Sequence, residues 1–352
     1  MTAGIHAGKT TTEQPILWLG MSGFAPQQRP VLEASLARSP GSPSWRTCAF
    51  SDADAWWING RNVRVMPSGN LKVAAGLPTE RALNLNLSEV DRPVAFALPL
   101  ASSDIEPRCT FDPASEASMH GVLAQFEGWL RLLRAEFVLG AQLIERGPSL
   151  RQGVYHVSHN GSLLAVLDFH QGQGAISPAA HPVDLWEARW DKRPVGARDM
   201  PPGFVAVTPA QLAWAYVRRT DRDLLPPRYR TETIYYHHVP RVPVRWLHDS
   251  QLMLLRELSL EPGTFDSLRQ RTGFTVKHLV HDLTCLYYAT AITTTRSKGA
   301  KASVARRDSH PASAGPGLDS LLNNDGHSYP QGDLTAPALL ERRSGTPNST
   351  AT

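Results

Sequence analysis

The chain has 352 residues, 41% of them hydrophobic and 19% charged, enough apolar material for two or three domains and too much for wholesale disorder. Lys and Arg number 36 against 32 for Asp and Glu, a formal charge of +4. Spread evenly, that excess is too small to mark a nucleic-acid binder, so its placement matters more than its size. The polar N-terminus lacks the apolar core of a signal peptide, and the most apolar long stretch, 122–144, is broken by Glu127, Arg131, Arg134 and Glu136. The three cysteines, Cys48, Cys109 and Cys285, lie far apart. These features predict a cytoplasmic protein with reduced thiols, without a membrane partner, a disulfide framework or a zinc site.

Residues 1–15 read as a disordered leader. Ile16-Leu-Trp-Leu-Gly20 suits a buried strand, followed by a short helix over 30–37 and a second strand over 46–50. Ser51-Asp-Ala-Asp54 predicts the cap of a short helix carrying Trp56, Trp57 and Ile58, because its side-chain oxygens can accept the free N–H groups of a first turn. Strands are expected over 62–66, 71–73, 83–87 and 94–98, closing an α/β domain at 16–112. This β-α-β-α-β opening resembles a receiver-type signalling domain. Such a domain needs an acidic pair after its first strand, to hold Mg²⁺, and an aspartate after its third. Here the first strand ends Gly20-Met-Ser-Gly23 and the expected third ends Met66-Pro-Ser-Gly69. The resemblance therefore implies a degenerate receiver that cannot accept a phosphoryl group.

A central α+β domain is expected over 113–245. It starts with a long helix over 113–146, in which Met119, Val122, Phe126, Leu133 and Phe137 recur at helical spacing. Asn160-Gly161 then predicts a two-residue type I′ hairpin between 154–157 and 163–169. Pairing 159 with 162 puts Val154, His156, Ala165 and Leu167 on one face, and Tyr155, Val157, Leu164 and Val166 on the other. Both faces are apolar, so the hairpin is central and covered on two sides. Thr208-Pro-Ala-Gln211 is a helix start with Pro at N1 and a capping box, and a strand is expected over 233–239.

Residues 249–295 carry the most informative pattern. A first helix has Leu252, Leu254, Leu255 and Leu258 as its inward set and ends at Pro262-Gly263. Thr264 caps a second helix, and Thr272-Gly273-Phe274 makes a turn. Thr275 then caps a third, with Val276, Leu279, Val280, Leu283, Leu286 and Tyr287 inward, before a strand-like exit over 291–295. Three short helices and a strand resemble a winged helix-turn-helix, here assigned to 246–295, ahead of a disordered basic and polar tail over 296–352. The outward residues of the third helix are Lys277, His278, His281, Asp282 and Tyr288. Over 245–295 five cations face five anions, whereas phosphate contacts usually supply most non-specific DNA affinity. That neutrality favours protein contacts. Candidate DNA or partner contacts are Lys277, His278, His281, Arg296, Lys298 and Lys301.

Other constellations reduce to structure. Gly8-Lys9-Thr10 has Ala3 where a P-loop needs glycine. Gly20-Met-Ser22-Gly-Phe24 lacks the last glycine of a nucleophile elbow. His156, His159 and His170 cannot converge on a metal, and Asp52 and Asp54 suit a helix start. Leu318-Asp-Ser-Leu-Leu322 has the form of a docking peptide. Arginines and aromatics crowd residues 186–245, and Arg218-Arg-Thr-Asp221 matches the R-x-x-D clamp used for cyclic dinucleotides. Arg218, Arg219, Asp221 and Arg222 are the candidate nucleotide or anion patch, against the simpler reading of cations at a helix C-terminus. No catalytic residue, cofactor motif or metal ligand set emerges. The expectation is an α+β multidomain, non-enzymatic regulatory or adaptor protein. Its receiver-like and winged-helix domains would contact a protein partner. The alternatives are a DNA-binding regulator and a nucleotide-sensing module or enzyme using the 186–245 patch.

Overall fold

In the computed structural model, residues 13–36, 43–101, 107–150, 153–194 and 196–299 are described. Gly8-Lys9-Thr10, Lys301, Leu318-Asp-Ser-Leu-Leu322 and most of the expected leader and tail lie outside them. The fold mixes helices with one parallel sheet and several antiparallel sheets. It divides into two units, one of residues 13–138 with Ala179–Ala188, the other of Leu139–Pro178 with 189–299.

The first unit is built on β1 (Ile16–Ser22), α1 (Arg29–Leu36), β2 (Ser44–Cys48), β3 (Ala55–Asn59), β4 (Val63–Val65), β5 (Leu71–Val73), β6 (Leu83–Leu85), β7 (Val94–Ala97), β8 (Thr110–Phe111) and α2 (Glu116–Trp129). β2-β1-β3-β7-β8 form a parallel sheet in that order, and β4-β5-β6 a small antiparallel one. Strand alternation gives the parallel sheet two apolar faces. Leu17, Leu19, Met21, Ala55 and Trp57 pack with Leu32 and Leu36 of α1 and with Met119, Val122 and Phe126 of α2. On the other face Ile58, Val94 and Phe96 pack with Val63, Leu71, Val73 and Leu85 of the small sheet. The unit thus has three layers, with a small sheet where a doubly wound fold carries helices.

Three expectations fail here. Trp56, Trp57 and Ile58 lie in strand β3, not in a helix. Asp54 is no cap: its Oδ2 accepts from Trp18 N at 2.9 Å, tying the β3 entry to β1. The expected third strand, 62–66, is β4 of the small sheet, so the third parallel strand ends at Asn59 instead. The long helix over 113–146 is also two, α2 and α3 (Arg131–Arg146), broken at Leu130. At the break Arg134 Nη1 donates to Glu127 O at 3.3 Å, satisfying a carbonyl that the helix end leaves open. After it comes the five-residue α4 (Pro182–Trp186).

The second unit holds an antiparallel sheet of order β12-β9-β10-β11-β13, formed by β9 (Val154–His159), β10 (Ser162–Asp168), β11 (Gln173–Ile176), β12 (Arg189–Arg193) and β13 (Val205–Val207). Asn160 and Gly161 take φ of 47° and 79°, the left-handed pair that a type I′ turn requires. The register shifts between Leu163 and Ala165, so Ala165 pairs with Val157, Val166 with His156 and Asp168 with Val154. That one-residue bulge overturns the expected faces: Ala165 and Leu167 join Tyr155 and Val157, while Val166 joins Val154 and His156. Both faces are buried all the same. There follow α5 (Pro209–Val217), α6 (Arg228–Thr231), β14 (Tyr235–Tyr236), α7 (Asp249–Leu260), α8 (Phe265–Thr272), α9 (Val276–Tyr288) and β15 (Ile292–Thr293), with β14 and β15 paired antiparallel. The expected strand over 233–239 shrinks to β14. One core joins Trp214 and Val217 of α5, Tyr229 of α6, Leu254, Leu255 and Leu258 of α7, Phe265 and Leu268 of α8, and Leu279, Leu283 and Leu286 of α9.

Candidate functional site

Helix α9 starts as its sequence predicts. Thr275 Oγ1 accepts from His278 N at 3.3 Å, and Gly273 (φ 71°) ends α8 in the left-handed conformation. The exposure of α9, however, differs from the expected one. Val276, expected inward, is 46% exposed, with Lys277 and His278 exposed beside it. Asp282, expected outward, is 2% exposed, and residues 282–286 are buried without a gap. At about 100° per residue, five consecutive positions sweep the whole circumference of a helix. Residues 282–286 of α9 are therefore enclosed on every side.

Helix α5 is a main part of that enclosure. Its Thr208–Gln211 capping box forms as expected, with Thr208 N to Gln211 Oε1 at 2.8 Å and Gln211 N to Thr208 Oγ1 at 3.1 Å. Residues 212–217 are all buried. A Cβ at Gly140 of α3 would lie 2.1 Å from Leu212 O, so glycine lets α3 and α5 approach closely. α5 packs against α9, and Cys285 of α9 is fully buried within reach of Gln251 of α7 and of Arg218 just past α5. Burial pushes the Cys285 thiol well above the usual thiol range, leaving it an unreactive core group.

Asp282 anchors the middle of α9. Gln251 Nε2 donates to Oδ1 at 3.2 Å, His278 Nε2 lies 3.1 Å from Oδ2, and His281 Nδ1 lies 3.6 Å from Oδ1. Burial alone would raise this carboxyl, but hydrogen bonds from His281 and Ser250, with His278 close by, hold it below its usual value. Two of the candidate contact residues, His278 and His281, are thus turned toward an internal carboxylate. The sequence carried one signal for this: Asp282 stands four residues after His278, on the same helix face.

The candidate anion-patch residues differ in exposure and in the partners they meet. Arg218 stacks over Trp214 at 5.3 Å. Arg219 is 4% exposed, whereas Asp221 is exposed. Arg222 donates through Nη1 to Tyr216 Oη at 3.0 Å and lies 3.4 Å from Glu145. Other cations gather around β15. Tyr235 pairs with Thr293, His237 N donates to Ala291 O and Arg241 N to Ala289 O, and His237 Nδ1 meets Lys298 O at 2.5 Å. Arg228, Arg241, Arg296 and Lys298 are exposed in this neighbourhood, and no carboxylate among the described residues is ion-paired to them.

In the first unit, the carboxyl ends of β1 and β3, at the edge where open α/β sheets bind ligands, are bonded to the chain's own side chains. Asn59 Nδ2 and Asn62 Nδ2 donate to Gly23 O at 2.9 and 2.6 Å. Arg29 donates to Met21 O at 3.1 Å and is ion-paired with Glu80. Glu80 in turn accepts from Gly76 N at 3.1 Å, and a Cβ at Gly76 would lie 2.2 Å from Phe24 O. No carboxylate follows β1 directly, and the residue that ends β3 is an amide whose N–H₂ is used structurally. Nothing in the sequence pattern marks Glu80 for this place. Among the described residues no group of three His, Cys, Asp or Glu is arranged to hold a metal, and no helix is long and apolar enough to cross a membrane. Comparison with protein-family models, curated proteins and solved structures found no match, so the geometry alone carries the functional assignment.

Proposed function

We propose that this chain is a non-enzymatic regulatory or adaptor protein that works through protein contacts. Its α7-α8-α9-β15 segment is a winged-helix-like module, and its β2-β1-β3-β7-β8 parallel sheet a receiver-like module without phosphoryl chemistry. The burial of residues 282–286 carries this reading. A helix that reads DNA must offer an open face to base edges in the major groove, and α9 offers little beyond its first turn and a half. The self-bonded carboxyl ends of β1 and β3 support a non-catalytic role, since Glu80 takes the place where a ligand anion would meet Arg29.

A second reading, nucleic-acid binding by backbone contact, draws on the cations Arg228, Arg241, Arg296 and Lys298 around β15. Fluorescence anisotropy of the full chain with a labelled duplex at low salt separates the two. The protein-contact reading expects no binding, and Lys277→Glu changes nothing. Salt-dependent binding lost with Arg241→Glu and Arg296→Glu, yet kept with Lys277→Glu, selects the second reading. Binding lost with Lys277→Glu alone returns α9 to the role of a recognition helix.

A further inference from the structure

Among the described residues, helix α7 leaves one stripe without a partner. Leu254, Leu255, Leu258 and Gln251 point into the core, while Asp249, Leu252, Met253, Arg256 and Leu260 are exposed. These five positions fall at i, i+3, i+4, i+7 and i+11, a single face of a helix. Leu252, Met253 and Leu260 are 40%, 38% and 52% exposed, a density of large apolar groups that a solvated face does not need. The neighbouring acids are already used: Glu257 and Glu261 lie 3.7 and 3.9 Å from Arg271 Nη1. Asp249 and Arg256 have no such ion pair among the described residues.

The order of these groups along the stripe selects an occupant. Acid, two apolar residues and base stand at Asp249, Leu252, Met253 and Arg256, with the two charges separated by two helical turns, about 10 Å. Reversing the 249–256 part of the stripe end for end exchanges acid with base and apolar with apolar, with Leu260 lying beyond this symmetric part. The surface is therefore complementary to itself in antiparallel orientation, as a two-fold interface demands. A parallel arrangement would instead set Asp against Asp and Arg against Arg.

We infer that a second copy of this chain docks here, α7 against α7, with the two-fold axis between Leu252 and Met253. Leu252 of each copy packs on Met253 of the other, and Asp249 faces Arg256 at both ends. This interaction surface goes beyond the adaptor reading. A contact centred on one helix about 18 Å long is small for a protein interface, so the dimer is reversible and forms at about micromolar concentrations.

Sedimentation velocity of the full chain over a concentration series tests this, with circular dichroism confirming that each variant folds. Wild type shifts from monomer to dimer as concentration rises, and Met253→Asp, at an exposed position, remains monomeric throughout. Asp249→Arg and Arg256→Asp, each alone, place like charges at both ends and weaken the dimer about tenfold. Mixed in equal amounts, the two charge variants restore it, because each copy then meets its complement. The inference is overturned by a wild type that stays monomeric, by a dimer indifferent to Met253→Asp, or by failure of the mixture of folded variants to recover. A dimer that emerges only after residues 300–352 are deleted also overturns it, assigning the stripe to the chain's own tail.

Discussion

Helices α7 and α9 belong to the same small three-helix segment, and most of their expected inward leucines are buried, yet each has a position whose exposure is the reverse of what the sequence suggests. Leu252 of α7, expected in the core, is 40% exposed, while Asp282 of α9, expected at the surface, is 2% exposed. Asp282 is covered from α7, whose Gln251 and Ser250 reach its carboxylate, while α5, which begins 67 residues before α9 in the chain, also packs against α9. A helical period identifies a stripe; it does not say whether a distant element will cover the opposite side. A resemblance in element order therefore does not fix which faces this segment exposes: these include the first turn of α9 and one stripe of α7.

Removing α5 from its seat is the most damaging way to break that contrast. Trp214→Ala deletes a side chain that is 2% exposed and stacked on Trp246 with centroids 5.5 Å apart. It is expected to cost about 3–5 kcal/mol, read from urea unfolding, and to raise amide exchange over 282–286 more than over 276–281. Equal increases in both segments would contradict α5's role as a cover. Gly140→Ala forces a methyl against Leu212 O and is expected to cost about 1–3 kcal/mol by overpacking, with the same exchange signature.

Asp282→Asn tests the anchor itself. The carboxyl is held below its unfolded value, so it contributes stability above the unfolded carboxylate range and loses that contribution as pH falls through the folded value. The substitution is expected to cost about 1–3 kcal/mol at neutral pH and to flatten the decline of thermal stability below pH of about 5. An unchanged acid profile would show that the His278, His281 and Gln251 contacts do not matter.

The smallest effect concerns the end of α9. Ala291 N donates to Leu286 O and Thr290 N to Tyr287 O, a Schellman closure whose left-handed residue is Thr290 (φ 62°) in place of the usual glycine. Thr290→Gly relieves the β-branched strain and is expected to raise stability by about 1 kcal/mol, seen as a higher melting temperature. A loss would mean that Thr290 makes contacts outweighing the strain.

Local chemistry was the legible part of this sequence. The Thr208–Gln211 capping box, the Asn160-Gly161 turn, the Thr264 and Thr275 caps and Gly273 all involve residues within a few positions of one another, and each forms as its side-chain chemistry requires. The errors lie where a distant partner decides. Asp54 has the composition of a helix start, but Trp18, 36 residues earlier, takes its carboxylate and Trp56 becomes strand. The bulge at 163–165 reverses one strand of the hairpin without any glycine or proline to announce it. Glu80 meets Arg29 across 51 residues, a pairing that no local pattern encodes. The candidate site was legible to the same extent: the helices and their caps were, and their burial was not.

Thiol labelling of the folded chain probes the enclosure of residues 282–286. Cys285 is fully buried, whereas Cys48 is only partly so. Cys48 is expected to react with a maleimide under native conditions while Cys285 stays protected until the second unit unfolds, and Thr284→Cys, the adjacent buried position, is expected to be protected equally. Rapid native labelling at Cys285 or at the introduced thiol would contradict the enclosure of α9 and reopen its role as a DNA-reading helix.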